Sequence, residues 1–195
     1  KELLQPHGDN AVQLLGGGYL RPARWCQHLL NHPAISQVSA RVVSLQEGAP
    51  ARVTLENGET LSADAVVLCT AGQSQSLPGL GWLPLKHIRG QVSYCQATDA
   101  SRRWQQAQCH GGYLTPVLKE LHCVGATFKL HEDHTHATDS DDEENLAQLR
   151  HHLPALWQEL GGEHIQIVDR RVAFRCQSID FLPLCGPLPV ATDNP

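Results

Sequence analysis

The sequence predicts a mixed chain, α/β in its first part and α+β in its second, and three observations carry that reading. A β-meander runs directly into a strand apolar on both faces, a proline- and glycine-rich connection follows, and beyond it come alternating runs interrupted by one helical segment. The 195 residues suit one domain or part of a larger protein, and 41% apolar with 18% charged residues is the composition of a globular chain. Wholesale disorder, collagen-like repeats and coiled coil are excluded. The longest apolar run, residues 65–69, is far below the ~20 residues a membrane helix needs, so no membrane partner is expected. A net charge of -5 argues against a surface that attracts phosphate everywhere and leaves room for a local basic patch.

Residues 11–15 form a short apolar run that ends at Gly16-Gly17-Gly18. Pro22 suits the first turn of a helix through Ala23, Trp25, Cys26, Leu29 and Leu30, which Pro33 stops. Strands are expected at 40–45, 51–56 and 59–62, with Asn57-Gly58 as a type I′ turn because both residues tolerate positive φ. Residues 65–70 then read as a buried, parallel strand ending at Ala71-Gly72, where backbone can approach a ligand closely. Pro78, Gly79, Gly81 and Pro84 mark the connection. Runs at 88–96, 112–117 and 122–129 predict an antiparallel sheet. Leucines at helical spacing over 140–160 predict a helix, with Ser140 and Glu143 as its capping box, a break at Pro154 and an end at Gly161-Gly162. The acidic residues from Asp139 to Glu144 complement the positive end of that helix. A last strand at 165–175 leads into the proline- and glycine-rich segment 182–187.

Seven cysteines, widely spaced and without any C-x-x-C, read as buried reduced thiols in a cytoplasmic protein. The densest histidine cluster, His131, His134 and His136 with Glu132, matches no closed zinc spacing and reads as a solvated loop, so no metal is expected. There is no G-x-G-x-x-G, no P-loop, no G-x-S-x-G and no H-E-x-x-H.

Six short motifs occur in a telling order. Gly17-Gly18-Tyr19-Leu20-Arg21-Pro22 precedes the first helix, and the meander leads to Val66-Val67-Leu68-Cys69-Thr70-Ala71-Gly72. Then come Arg89-Gly90-Gln91, Gly112-Tyr113-Leu114-Thr115-Pro116, Val124-Gly125-Ala126-Thr127-Phe128, and Phe174-Arg175 with Leu182-Pro183-Leu184-Cys185-Gly186. Together they resemble the FAD-dependent amine oxidoreductases of the D-amino acid oxidase class. Within that class the likeness is to the C-terminal oxidoreductase domain of the bifunctional enzymes of tRNA 5-methylaminomethyl-2-thiouridine biosynthesis. The resemblance implies a fragment of a two-domain fold, with a Rossmann-like FAD domain part bearing the meander and an antiparallel-sheet substrate domain. Residues 1–87 would be the later part of the FAD-binding domain, 88–173 the substrate domain, and 174–195 a return to the FAD domain. The phosphate-binding strand–loop–helix unit of such a domain is not among these residues, so FAD binding by them alone is expected to be weak or absent.

The resemblance also assigns roles. Arg175 matches the arginine that clamps the substrate carboxylate, a task suited to a planar, bidentate guanidinium. Tyr113 matches an active-site tyrosine on a sheet strand. Val42 matches the strand whose backbone meets the adenine, Ala71 and Gly72 the turn beside the ADP part, and Gly90 and Gly186 the close approaches to the isoalloxazine ring. Ala173 stands where the family often has glycine two residues before the arginine. The implied reaction is oxidative removal of the carboxymethyl group from 5-carboxymethylaminomethyl uridine, with or without the 2-thio group, at the tRNA wobble position. The implied partners are tRNA and an N-terminal methyltransferase domain using S-adenosylmethionine. Lys86 to Arg89, Arg102-Arg103 and Arg170-Arg171 are the candidate tRNA contacts. Two alternatives stay open: a free-standing glycine- or sarcosine-type oxidase, which would turn over free amino acid, and a non-catalytic binding domain of the same fold, whose parent would carry no flavin.

Overall fold

The computed structural model describes residues 4–7 and 11–188. In chain order the elements are β1 (Leu4–Pro6), β2 (Val12–Leu14), α1 (Pro22–Leu30), β3 (Val42–Gln46), β4 (Ala51–Leu55), β5 (Thr60–Ala63), β6 (Leu85–Gln96), β7 (Gln108–Cys109), β8 (Tyr113–Leu114), β9 (Leu121–Gly125), α2 (Asp139–His152), α3 (Pro154–Glu159) and β10 (Ile167–Ser178). They form an antiparallel pair β1-β2, a meander β3-β4-β5 and a five-stranded sheet ordered β10-β6-β9-β8-β7. The chain divides into two units. One takes the described residues of Lys1–Ile35, Gln91–Thr127 and Ala137–Arg171; the other takes those of Ser36–Gly90, Phe128–His136 and Val172–Pro195.

In the first unit, Cys95, Trp104, Leu114, Val124, Leu149, Trp157 and Leu160 make one buried apolar cluster, joining the sheet to α2 and α3. β9 pairs with β6 and with β8, and Tyr113 sits opposite Gly125. Two motif glycines account for that close approach. A Cβ on Gly112 would overlap the carbonyl of Gly125, and one on Gly125 would lie 2.9 Å from Val92 Cγ1. The helix over 140–160 forms with its break at Pro154, which occupies the first turn of α3. Its cap is Thr138 rather than Ser140. The Thr138 hydroxyl accepts from the Asp141 amide at 3.2 Å and donates to Asp141 Oδ2 at 2.8 Å, a reciprocal cap set two residues earlier than the one expected.

In the second unit the meander forms in register, with Ala51 opposite Ala63 and Thr54 opposite Thr60. The hairpin turn is not type I′. The Gly58 amide donates to the Leu55 carbonyl, Gly58 alone of the pair has positive φ (86°), and Asn57 instead uses its side-chain oxygen to accept from Glu59 N. That is a three-residue loop in which glycine supplies the left-handed residue and asparagine the capping acceptor. Residues 65–70, expected as a buried parallel strand, have no strand partner among the described residues, and Val67 is 84% exposed. A strand apolar on both faces needs neighbours on both edges and cover on both faces, which the described residues do not provide. No helix among them is long and apolar enough to cross a membrane.

Candidate active site

The Arg89-Gly90-Gln91 motif splits its work along one strand. Arg89, fully buried, donates from Nε to the His134 carbonyl at 3.0 Å and from Nη2 to the His136 carbonyl at 2.7 Å, and pairs with Glu132 at 3.4 Å. A buried guanidinium is tolerated because its donors meet two carbonyls and a carboxylate. The loop 132–136 is largely exposed, as expected, while its His134 and His136 carbonyls and Glu132 meet that cation and the His134 and His136 rings stack at 3.7 Å. Arg89 and Lys129 exchange backbone hydrogen bonds at 3.0 and 2.9 Å, which fixes the chain next to Phe128. Arg175, exposed on β10, places its guanidinium 5.7 Å from the centre of the Phe128 ring, within cation–π range. Gly90 is buried in β6 between these anchors.

The residues matched to the nucleotide lie in this same unit. Val42 is half-buried in β3, paired with Leu55. Ala71 adopts a left-handed φ of 48°, a strained conformation for a residue with a Cβ. Gly72 packs against the His87 imidazole so closely that a Cβ there would overlap the ring. Gly186 is exposed with open space about it, so no close approach explains its glycine among the described residues. Val66 and Val67, just before the Ala71 turn in sequence, are exposed.

Tyr113 belongs to the other unit. It is half-buried on β8, and its hydroxyl hydrogen-bonds the Cys123 thiol, whose pKa burial raises. The same unit holds a polar tie that sequence reading missed. Asp142 accepts from Gln91 Nε2 at 2.9 Å, Ser93 Oγ at 2.6 Å and Arg170 Nε at 2.5 Å, and Asn145 Nδ2 donates to the Gln91 carbonyl and to Ser93 Oγ at 3.1 Å each. Asp142, and after it Asp139, hold the Arg170 charge and raise its pKa, so α2 is tied to β10 through Arg170 as well as to β6 through Gln91 and Ser93. The alternation of Gln91 and Ser93 with bulkier residues was the available signal.

The expected basic contacts are largely committed to carboxylates. Arg102 pairs with Glu120, Arg103 with Glu159 at 2.5 Å, and Arg170 with Asp142 and Asp139 at 2.5 Å each. The cysteines are all unpaired thiols, but Cys26, Cys69, Cys109 and Cys185 are exposed, against the expectation of burial. Cys95 is buried in the core, and burial pushes its pKa up to about 12.

The sequence matches the FAD dependent oxidoreductase family over residues 2–194. The chain belongs to that family. It is 35% identical over 181 residues to the tRNA 5-methylaminomethyl-2-thiouridine biosynthesis bifunctional protein MnmC of Chromobacterium violaceum, covering 91% of this chain and 27% of the relative. It is 32% identical to MnmC of Saccharophagus degradans, covering 89% of this chain and 25% of the relative. This FAD dependent oxidoreductase chain therefore spans about a quarter of the length of those curated relatives. Among solved structures it is similar to glycine oxidase from Geobacillus kaustophilus (TM-score 0.63, 19% identity, 77% of this chain and 40% of that one). It is also similar to iminodiacetate oxidase from Chelativorans sp. BNC1 (TM-score 0.60, 17% identity, 74% and 39%). The likeness to these structures is one of fold.

Proposed function

We propose that these residues are the later part of the oxidoreductase domain of a bifunctional tRNA-modifying enzyme. That domain removes the carboxymethyl group from 5-carboxymethylaminomethyl uridine, or its 2-thio form, at the wobble position. The observation that carries this reading is the 32–36% identity over 88–91% of the chain to proteins named for that biosynthesis. The substrate is an N-substituted glycine; oxidation at the methylene beside nitrogen, then hydrolysis, leaves the aminomethyl uridine and releases glyoxylate. FAD, when bound, supplies the two-electron oxidation.

The chain's own residues bind and orient. Arg175 holds the substrate carboxylate through paired N–H donors, and Tyr113 lines the substrate side. Gly90 and Gly186 admit the flavin ring, and Val42, Ala71 and Gly72 line the adenosine side. Residues 1–87 and 174–195 are assigned to the FAD domain and 88–173 to the substrate domain. An N-terminal methyltransferase domain of the full-length enzyme, using S-adenosylmethionine, then methylates the amine.

A second reading, oxidation of a free small amine such as glycine or sarcosine, is favoured by one observation. The arginines expected to meet tRNA are paired with carboxylates. Nucleoside analysis of tRNA tests the first reading: cells lacking the full-length enzyme should accumulate carboxymethylaminomethyl uridine, and wild type but not Arg175→Lys should clear it. No accumulation sinks the tRNA assignment.

A further inference from the structure

We propose that Arg171 is a specificity-determining residue that takes a phosphate of the nucleotide substrate, on the sheet face that carries Tyr113; the inference rests on the tRNA reading of the function. In the five-stranded sheet, burial alternates along β6. Gln91, Ser93 and Cys95 are buried on the side of α2 and α3, while Val92, Tyr94 and Gln96 are half-buried on the other. Val124 of β9 and Leu114 of β8 join the core on the helix side, so Cys123, Gly125 and Tyr113 turn to the opposite face. There Tyr113 stands opposite Gly125, and Cys123 opposite Tyr94. On β10, beside β6, the Arg170 side chain reaches α2 through Asp142 and Asp139. Arg171, next in the extended strand, turns to the tyrosine face. Burial raises the Cys123 pKa, and the Tyr113 hydrogen bond and the Arg171 charge oppose that rise, which puts all three in one neighbourhood.

Charge separates Arg171 from the neighbouring arginines. Arg102, Arg103 and Arg170 are held by carboxylates, whereas Arg171 is exposed and meets no carboxylate among the described residues. A tRNA nucleotide bearing the carboxymethylaminomethyl group offers two kinds of anion, that carboxylate and the flanking phosphates. The carboxylate is assigned to Arg175 above. An exposed guanidinium beside tyrosine rings suits the phosphate, since its forked N–H donors match phosphate oxygens and the rings offer faces on which a base stacks. Glycine and sarcosine have no phosphate, so Arg171 favours a nucleotide over a free amino acid.

The test uses the full-length, FAD-loaded enzyme with an anticodon stem-loop RNA bearing carboxymethylaminomethyl uridine, beside the free modified nucleoside, which has no phosphate. In Arg171→Gln, RNA affinity read by fluorescence anisotropy over a salt series should fall about tenfold. The slope of log affinity against log salt should shrink by about 0.7, the share of one phosphate on a single strand. The preference for RNA over nucleoside in kcat/KM should fall by the same factor of about ten, carried by KM rather than kcat. Arg171→Lys should recover most of the salt slope, since a point charge still meets phosphate. Equal losses for RNA and nucleoside overturn the proposal, because Arg171 would then act on the uridine or on the fold. An unchanged RNA affinity and salt slope in Arg171→Gln overturn it too. If wild type oxidises glycine or sarcosine but neither RNA nor nucleoside, the tRNA reading fails, and the phosphate site with it.

Discussion

Asp142 is a carboxylate placed where only its partners make it tolerable. It is 3% exposed and satisfies Gln91, Ser93 and Arg170 at once. Asp142→Ala leaves those donors without an acceptor and should cost about 1–3 kcal/mol, seen as a lowered denaturation midpoint with the slope unchanged. A variant as stable as wild type would show the tie to be incidental. His122 offers a pH test. It is fully buried between the Ser101 hydroxyl at 3.0 Å and the Thr115 carbonyl at 2.8 Å. Burial, then the Arg102 charge, hold its pKa below 6.5, against the opposing pull of the Thr115 carbonyl. The folded state therefore binds fewer protons than the unfolded chain below about pH 6.5. Stability is fully present above that value and is lost as pH falls through the folded pKa. Melting temperature should decline over that window, and His122→Gln should flatten the decline; an unchanged slope would remove His122 from the account. What made Arg89, Gln91 and Gly112 legible as motif residues was their order. What they bind was not legible, because a strand residue's partner lies up to 54 positions away, as Asn145 does from Gln91.

At the scale of elements, periodicity located the meander, the long strand β6, the helix pair broken at Pro154 and the last strand, since each rests on a pattern within about 15 residues. Caps and turns were read less well because several neighbours compete for one role. Ser140 and Thr138 both have the chemistry, and the chain's entry at φ -126° and ψ 150° selects Thr138. Thr138→Ala should cost about 1 kcal/mol, whereas Ser140→Ala should change denaturation little; the reverse ranking would restore Ser140 as the cap. Residues 65–70 have no strand partner among the described residues for a different reason. Their apolar composition describes a fully covered strand, and cover depends on chains outside the local pattern. If the rest of the FAD domain supplies it, amide hydrogens of 66–69 should exchange quickly in these 195 residues by themselves and slowly in the full-length enzyme. Equal exchange in both would show that the segment is not a core strand.

For the whole molecule, family membership is settled over residues 2–194, while the chain covers about a quarter of its MnmC relatives. The candidate site follows that division. Arg175, Phe128, Arg89 and the Ala71-Gly72 turn lie in one unit, and Tyr113 in the other. The central claim is that Arg175 serves an oxidation whose substrate is tRNA. It is tested most directly by anaerobic flavin reduction in the full-length enzyme, comparing tRNA bearing the carboxymethylaminomethyl group with free glycine and sarcosine, each with wild type and with Arg175→Lys. The account predicts that the modified tRNA bleaches the flavin, that the free amines do so far more slowly, and that Arg175→Lys weakens the tRNA reaction by about tenfold or more, the loss of a bidentate charged contact. Faster bleaching by glycine or sarcosine, or full activity of Arg175→Lys on tRNA, would contradict it.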